Sequence, residues 1–360
     1  MGKGNYVRLS GALLIMDFFT ILFSFFVLIF TLGLLLNKRC QTDSEHTFSI
    51  LIACRNEEQN LPALFLALDN IIYPKEKYEI IITDDASTDN SARLLSEFSK
   101  NKENVTCLFL QEKSKEFQGK QAALKLAAEK AKFDFLVFTD ADCEPESGWL
   151  NNFNRYISDA VGMVVGYYRE NELSTFQTFI NKISAVVTAA TIGLGLPMTA
   201  SGSNLLIRRS AFEEVGGYEK IRHFRSGDDK HMLNLIRKAK WKITFKREID
   251  VLSKISIARS ELKHRNMRKY STIVYSSAPI ILLSIFTLAF YFSYPVMLFV
   301  DHFRPIYLLY PFSLLFLWIV TVVYFKLKFK FNDLFFLLIY PYVVIWYSIN
   351  GIWGKWEWKK

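Results

Sequence analysis

Paired cysteines are missing from this sequence. Cys40, Cys54, Cys107 and Cys143 are the only four in 360 residues. None stands in a Cys-x-x-Cys pair or at zinc-ligand spacing, so reduced, structural thiols are expected. A nucleic-acid-binding motif is also missing. The net charge of +9 is therefore read as basic flanks of membrane segments and attraction to anionic lipid headgroups, with no nucleic-acid partner. No Ser–His–Asp or Cys–His arrangement argues for a covalent nucleophile. No internal repeat or low-complexity stretch occurs. The apolar runs lack the buried charges and paired broken helices of a transport path, Asp17 excepted.

What is present is apolar and aromatic. Hydrophobic residues make up 51% of the chain, and most of the excess of its 32 phenylalanines falls towards the two ends. That placement favours lipid contact over an ordinary core. Residues 11–36 form one long run, and Phe18–Leu36 alone is long enough to cross a bilayer, with Asp17 near the interface. The run is too long for a cleaved signal peptide, and the NKRC that follows is no small-residue cleavage site. Further runs occupy 272–300, 305–325 and 333–353, with Pro295, Pro305, Pro311 and Pro341 blurring their ends. The loop KLKFKF carries Lys326, Lys328 and Lys330, which positive-inside logic places in the cytoplasm. Counting back two spans puts residue 271 and the domain before it on the same side. The tail KWEWKK then falls outside, which the same rule disfavours, so one run is open to a re-entrant or interfacial reading. Residues 176–200 are apolar but hold Lys182, two glycines and a proline. They are read as an interfacial or acceptor-side helix, not a span.

Between the ends, 46–270 alternates short apolar runs with amphipathic ones. FSILIAC, YEIIITDD, VTCLFL and FDFLVFTDAD read as strands. EEQNLPALFLALDNI, STDNSARLLSEFSK and GKQAALKLAAEKA read as helices. Such alternation implies βαβ units and a largely parallel sheet, whose ligands bind beyond the carboxyl ends of the strands.

Three acidic groups sit at those predicted strand ends. Asp84, Asp85 and Asp89 stand in TDDASTDN, where a carboxylate can accept from a base N–H or ribose hydroxyl, or cap the next helix. Asp89 suits capping equally well. Asp140 and Asp142 stand in VFTDADCE, where extended alternation puts both on one face. Paired hard oxygens there suit Mg²⁺ or Mn²⁺ shared with phosphates, although a lone Asp-x-Asp also occurs in solvated turns. Asp228 and Asp229 open a helix in SGDDKHML, where dipole complementation would explain them if they stood alone. His231, three residues on, reads as a helix-surface residue.

Taken together and in this order, these groups make the chain resemble the family-2 inverting glycosyltransferases of GT-A fold over about 46–270. The stretches that carry the resemblance are ACRNEEQNL, TDDASTDN, GKQAAL, FTDADCE, ASGSNLLIRRSAFEEVGGY and GDDKHML. The layout, with one apolar run before the domain and several after, resembles the membrane-bound branch that includes cellulose and hyaluronan synthases. The resemblance implies a membrane anchor (1–45), a GT-A domain (46–270) with a Rossmann-like mixed sheet, and a C-terminal membrane region (271–360). It implies Asp85, helped by Asp84, on the uracil or ribose of a nucleotide-sugar donor. Asp142 would ligate a metal bridging the diphosphate, and Asp140 would support ribose and metal. Lys120 would lie near the donor, or be a solvated helix start. Gly202, Ser203 and Asn204 would form a strand beside the donor sugar and acceptor. Asp229 would be the catalytic base and Asp228 its shortened neighbour.

Two departures stand out. The family's DDGS reads DDAS here, so Ala86 must tolerate the turn. The synthase branch's Gln-x-x-Arg-Trp motif corresponds to HRNMRKY, with Arg265, Arg268 and Lys269 in its places. Arg265 and Arg268 would neutralise a leaving diphosphate or bind anionic lipid. The missing Trp argues against a processive synthase, and the full acid set argues against a decayed, non-catalytic domain. The expectation is a transferase on the cytoplasmic side of a bacterial inner membrane. Its acceptor would be lipid-linked or another membrane-proximal glycan.

Overall fold

The computed structural model describes residues 3–37, 45–170, 175–224, 227–253, 266–267, 278–300 and 304–352. The chain divides into two compact units. One is Leu36–Ala258, and the other gathers Met1–Leu35 with Arg259–Gly354.

The first unit is built on an eight-stranded mixed sheet. Its strands are β1 (Phe48–Cys54), β2 (Tyr78–Asp85), β3 (Val105–Leu110), β4 (Phe135–Phe138), β5 (Cys143–Pro145), β6 (Val161–Glu170), β7 (Leu205–Arg208) and β8 (Lys242–Ser253). Every residue of β1 and β2 is buried, as expected of strands covered on both faces. Ile50 lies between Ile80 of β2 and Val137 of β4. Full burial of one such side chain contributes about 1.5–3 kcal/mol. The spatial order is β3-β2-β1-β4-β7-β6-β8-β5. The first four strands are parallel, as the alternation predicts. The other half departs from a parallel sheet. There β7 runs antiparallel to both β4 and β6, and β5 antiparallel to β8. Because β1 lies between β2 and β4, the chain leaves β1 on both sides, and a crevice opens at the carboxyl ends of these strands.

Helices α2 (Leu61–Asp69), α3 (Ser91–Ser99) and α4 (Gln121–Lys130) connect the parallel strands, followed by the short α5 (Trp149–Asn154). The apolar segment 176–200 supplies a helix, as expected, and not a candidate span. It forms α6 (Thr175–Gly193), which packs on β6 and β8. It lacks the broad exposed polar face of an interfacial helix. Its Ser184, Thr188 and Thr191 hydroxyls donate to carbonyls of their own helix at 3.0, 2.7 and 2.8 Å. Two helices flank the later site residues, α7 (Arg209–Glu214) and α8 (Asp228–Lys238).

The second unit is helical and begins with α1 (Lys3–Leu36). Leu14–Leu36, Pro305–Tyr324 and Phe331–Asn350 are each long and apolar enough to cross a membrane, since 20 residues rise about 30 Å. A shorter apolar stretch, Ile285–Val296, lies within the helix Ala278–Val300. The Phe23 ring stacks on Phe290 at 4.1 Å, next to Tyr310 and Leu314. Asp17 is buried and pairs with Arg304 at 2.7 Å. An ion pair can hold a carboxylate in such surroundings, where a lone charge would be costly.

Candidate active site

The first acidic group divides in two. Asp84 closes the turn after β2: its carboxylate accepts the Ser87 N–H at 3.0 Å and the Ser87 hydroxyl. Asp84, expected to help bind the donor, holds this turn with both carboxylate oxygens. Asp85 is 1% exposed and both its carboxylate oxygens lack a hydrogen-bond donor, with Arg55 Nη1 at 3.7 Å. Burial pushes its carboxyl above the usual range, Arg55 and Lys113 draw it back, and Asp84 adds to the rise. A buried acceptor without a donor is costly, so Asp85 suits a ligand that brings N–H or O–H groups. Arg55 was not singled out by sequence. Its signal was its place directly after β1, and its guanidinium also donates to the Asp85 carbonyl. Asp89 accepts from Glu58 N–H at 3.1 Å and Ser91 N–H at 2.9 Å, so it secures the loop.

Ala86 has φ +53°. That left-handed conformation costs an ordinary residue about 1–2 kcal/mol, and Gly avoids it. Ala86→Gly is expected to stabilise the protein by up to about 1 kcal/mol after Gly's larger unfolded-state entropy is counted. Thermal unfolding should show a midpoint raised by about 2–4 °C. A lowered midpoint would mean that the turn is not strained.

The second and third groups meet through one turn. Gly202, Ser203 and Asn204 form the turn that enters β7, not a strand. Asp140 takes the Lys120 ammonium on one oxygen and the Ser203 hydroxyl, at 2.6 Å, on the other. Asp229 accepts the Gly202 N–H at 3.0 Å and the Lys230 N–H at 2.7 Å. Asn204 is corrected as a sugar contact, since its buried side-chain amide bonds Trp149, Tyr167 and Asp250. Lys120 is no solvated helix start. It precedes α4 with its ammonium on Asp140. Burial alone would lower its pKa, but Asp140, Asp228 and Asp229 hold it well above the ordinary range.

Gly227, at φ +78°, turns the chain into α8, whose first turn carries Asp228 and Asp229. Burial raises the Asp229 carboxyl to about 6, Asp228 adds to the rise, and Lys120 opposes it. Lys120, Gly202, Tyr218, Asp228 and Asp229 share the lining of a cavity of about 10 Å³, roughly the room one water needs. Tyr218 closes the stretch ASGSNLLIRRSAFEEVGGY but was given no site role from the sequence. His231, read as a helix-surface residue, is half-buried: its ring stacks on Phe224 at 3.5 Å, and burial lowers its pKa to about 4.

Ligand atoms of Asp140, Asp142 and Cys143 lie within 4.8 Å of one another. Burial, with Asp142 and Asp140 beside it, pushes the Cys143 thiol up, and its Sγ donates to Asp142 at 3.5 Å. The two carboxylates thus offer the hard oxygens that Mg²⁺ or Mn²⁺ takes, while the sulfur stays a thiol. Arg265 and Arg268 lie outside the described residues, as does Cys40.

A mixed sheet with carboxylates gathered at the carboxyl ends of its parallel strands is an architecture of GT-A type. Residues 49–216, a little under half of the chain, match the Glycosyl transferase family 2 model. Glycosyltransferase AglE of Haloferax volcanii is 27% identical over 205 residues, 56% of this chain and 64% of that protein. Poly-beta-1,6-N-acetyl-D-glucosamine synthase of Staphylococcus aureus is 30% identical over 199 residues, 51% of this chain and 45% of that protein. The chain thus spans less than two thirds of the length of these relatives. The solved mannosyltransferase PcManGT from Pyrobaculum calidifontis, in complex with GDP-Man and Mn²⁺, matches with a TM-score of 0.60 and 17% identity. That match covers 95% of this chain and 100% of the other, and the likeness is one of fold.

Proposed function

We propose that this protein is a membrane-anchored inverting glycosyltransferase that moves a sugar from a nucleotide-sugar donor, UDP-linked by first expectation, to a lipid-linked or membrane-proximal acceptor. The observation that carries the proposal is the single turn that touches Asp140 through Ser203 and Asp229 through Gly202. It supports a donor diphosphate and an acceptor hydroxyl meeting at neighbouring carboxylates.

In this reading Asp85 and Arg55 receive the nucleoside. Asp140 and Asp142 would hold a divalent cation, which supplies charge stabilisation for the diphosphate when bound. Transfer at an anomeric carbon passes through an oxocarbenium-like state. As the acceptor oxygen bonds to that carbon, its proton passes to Asp229 and the bond to the diphosphate breaks. Lys120 lies where it can offset negative charge on the departing group. One base and one displacement suffice for inversion.

The three candidate spans and the basic loop at Lys326, Lys328 and Lys330 support an anchored protein with its domain on the cytoplasmic face of a bacterial inner membrane. The boundaries proposed remain an anchor at 1–45, the transferase at 46–270 and membrane helices at 271–360. A processive synthase is the second reading, favoured by the Staphylococcus aureus relative. The purified protein should hydrolyse or transfer from one of a panel of UDP- and GDP-sugars in a metal-dependent way. Products bearing one added sugar support single addition, and a ladder of many supports the synthase. Inactivity across the panel with no nucleotide binding would sink the proposal.

A further inference from the structure

Behind the Gly202–Asn204 turn lies a set of buried polar side chains that the proposed chemistry does not use. Lys246 and Asp250, both on β8, are 0% and 2% exposed. A buried ion pair adds little stability by itself, because desolvation offsets the attraction. This one is fully engaged. Asp250 accepts the Lys246 ammonium and the Asn204 amide, at 3.1 Å, on one oxygen. It accepts the Asn152 amide at 3.0 Å on the other.

Asn204 is held from every side. Its side-chain oxygen accepts the Trp149 indole N–H at 2.9 Å, and its amide also donates to the Tyr167 carbonyl at 2.8 Å. Its own carbonyl accepts the Gly166 N–H at 2.7 Å. The approach needs Gly at 166, since a Cβ there would stand 2.5 Å from the Asn204 side chain. The two residues before Asn204 are those that touch Asp140 and Asp229.

We infer that Asp250 is a positioning residue: through Asn204 it fixes the Gly202–Ser203 turn, and so the placement of Asp140 relative to Asp229, without touching the donor. A connected buried polar network of this kind favours one arrangement over its neighbours. Sub-ångström control of reacting groups is where such rigidity matters, since a misplacement of about 1 Å can cost about a hundredfold in rate. The kinetic consequence rests on the transferase reading; the conformational one does not.

The test uses the full-length protein with two readouts: amide hydrogen exchange over Gly202–Asn204, and kcat with donor KM. Asp250→Ala removes the oxygen that Asn204 needs, whereas Asp250→Asn keeps it and drops the charge. Asp250→Ala should speed exchange in the turn at least tenfold. It should lower kcat about tenfold to a hundredfold and change donor KM less than about threefold. Asp250→Asn keeps an oxygen for Asn204 but leaves the buried Lys246 ammonium without its charge partner and turns an NH₂ towards Asn152, so it should be impaired less than Asp250→Ala but not spared. Trp149→Phe removes the indole N–H, with some loss of buried ring volume, and is measured beside them in case Asp250→Ala fails to fold. It should show the same pattern, with kcat down about threefold to tenfold. Unchanged exchange in the turn overturns the inference. So does a donor KM that rises in step with the loss of kcat, or an Asp250→Asn variant as impaired as Asp250→Ala. If the unaltered protein transfers from no donor, the transferase reading fails alone and exchange still decides the inference.

Discussion

Asp229→Asn is expected to lower turnover by about a hundredfold to ten-thousandfold, the usual range for loss of a general base. Asn keeps the size of the side chain and an oxygen for the Gly202 N–H, which Asp229 accepts at 3.0 Å, but it cannot take a proton. Nucleotide affinity should stay nearly constant, because Asp85, Asp140 and Asp142 are unaltered. The pH dependence follows from the carboxyl's raised pKa of about 6. A base must be deprotonated, so turnover of the unaltered protein should fall as pH drops through about 6. The sign for stability is opposite. A carboxyl with a raised folded-state pKa holds its proton more tightly when folded, so stability is lost as pH rises from about 4 through about 6. Asp229→Asn does not titrate, so its stability should change less between about pH 4 and about pH 6 than that of the unaltered protein, while it is nearly inactive. Asp228→Asn should be milder. If Asp228→Asn is dead and Asp229→Asn turns over normally, the two roles are reversed. If neither loses turnover, the pair only complements the dipole of α8.

Asp142→Asn should reduce metal-dependent nucleotide affinity by about tenfold to a hundredfold, judged by what even indirect disturbance of metal sites costs. Asp142 differs from Asp140 in its neighbours. Asp140 already carries Lys120 and Ser203, whereas Asp142 has the Cys143 thiol as a weak donor. Calorimetry with and without Mn²⁺ separates the terms: Asp142→Asn should lose only the metal-dependent part, and Asp85→Ala should weaken binding in both conditions. Wild-type affinity in both variants would put the nucleotide elsewhere.

The parallel half of the sheet was legible because β1, β2 and β4 are short apolar runs ending in polar clusters, the pattern of strands buried on both faces. The half from β5 to β8 was less so. Its strands mix charged residues such as Lys246 and Asp250 into the run, and their burial depends on partners far along the chain. Asp140, Asp142, Asp228 and Asp229 could be named because carboxylates at predicted strand and helix ends are few. Asp84 and Asp85 read alike in sequence. They part in the fold because alternation along the strand aims adjacent side chains to opposite faces, one into the Ser87 turn and one towards Arg55.

By itself, then, the sequence determined which segments are apolar enough to span a bilayer, where the strand ends carry acid, and that Ala86 stands in a turn where the resembled family has Gly. These are local properties, set by hydropathy, period and backbone sterics within a few residues. Only the tertiary structure decided that Gly202 and Ser203 tie Asp229 to Asp140, that Lys120 lies on Asp140, and that Asn204 belongs to the core. Those outcomes join residues 20 to 63 positions apart. They follow from a strand order that brings β7 beside β4, and from the rule that a buried polar atom takes the partner that packing leaves within reach.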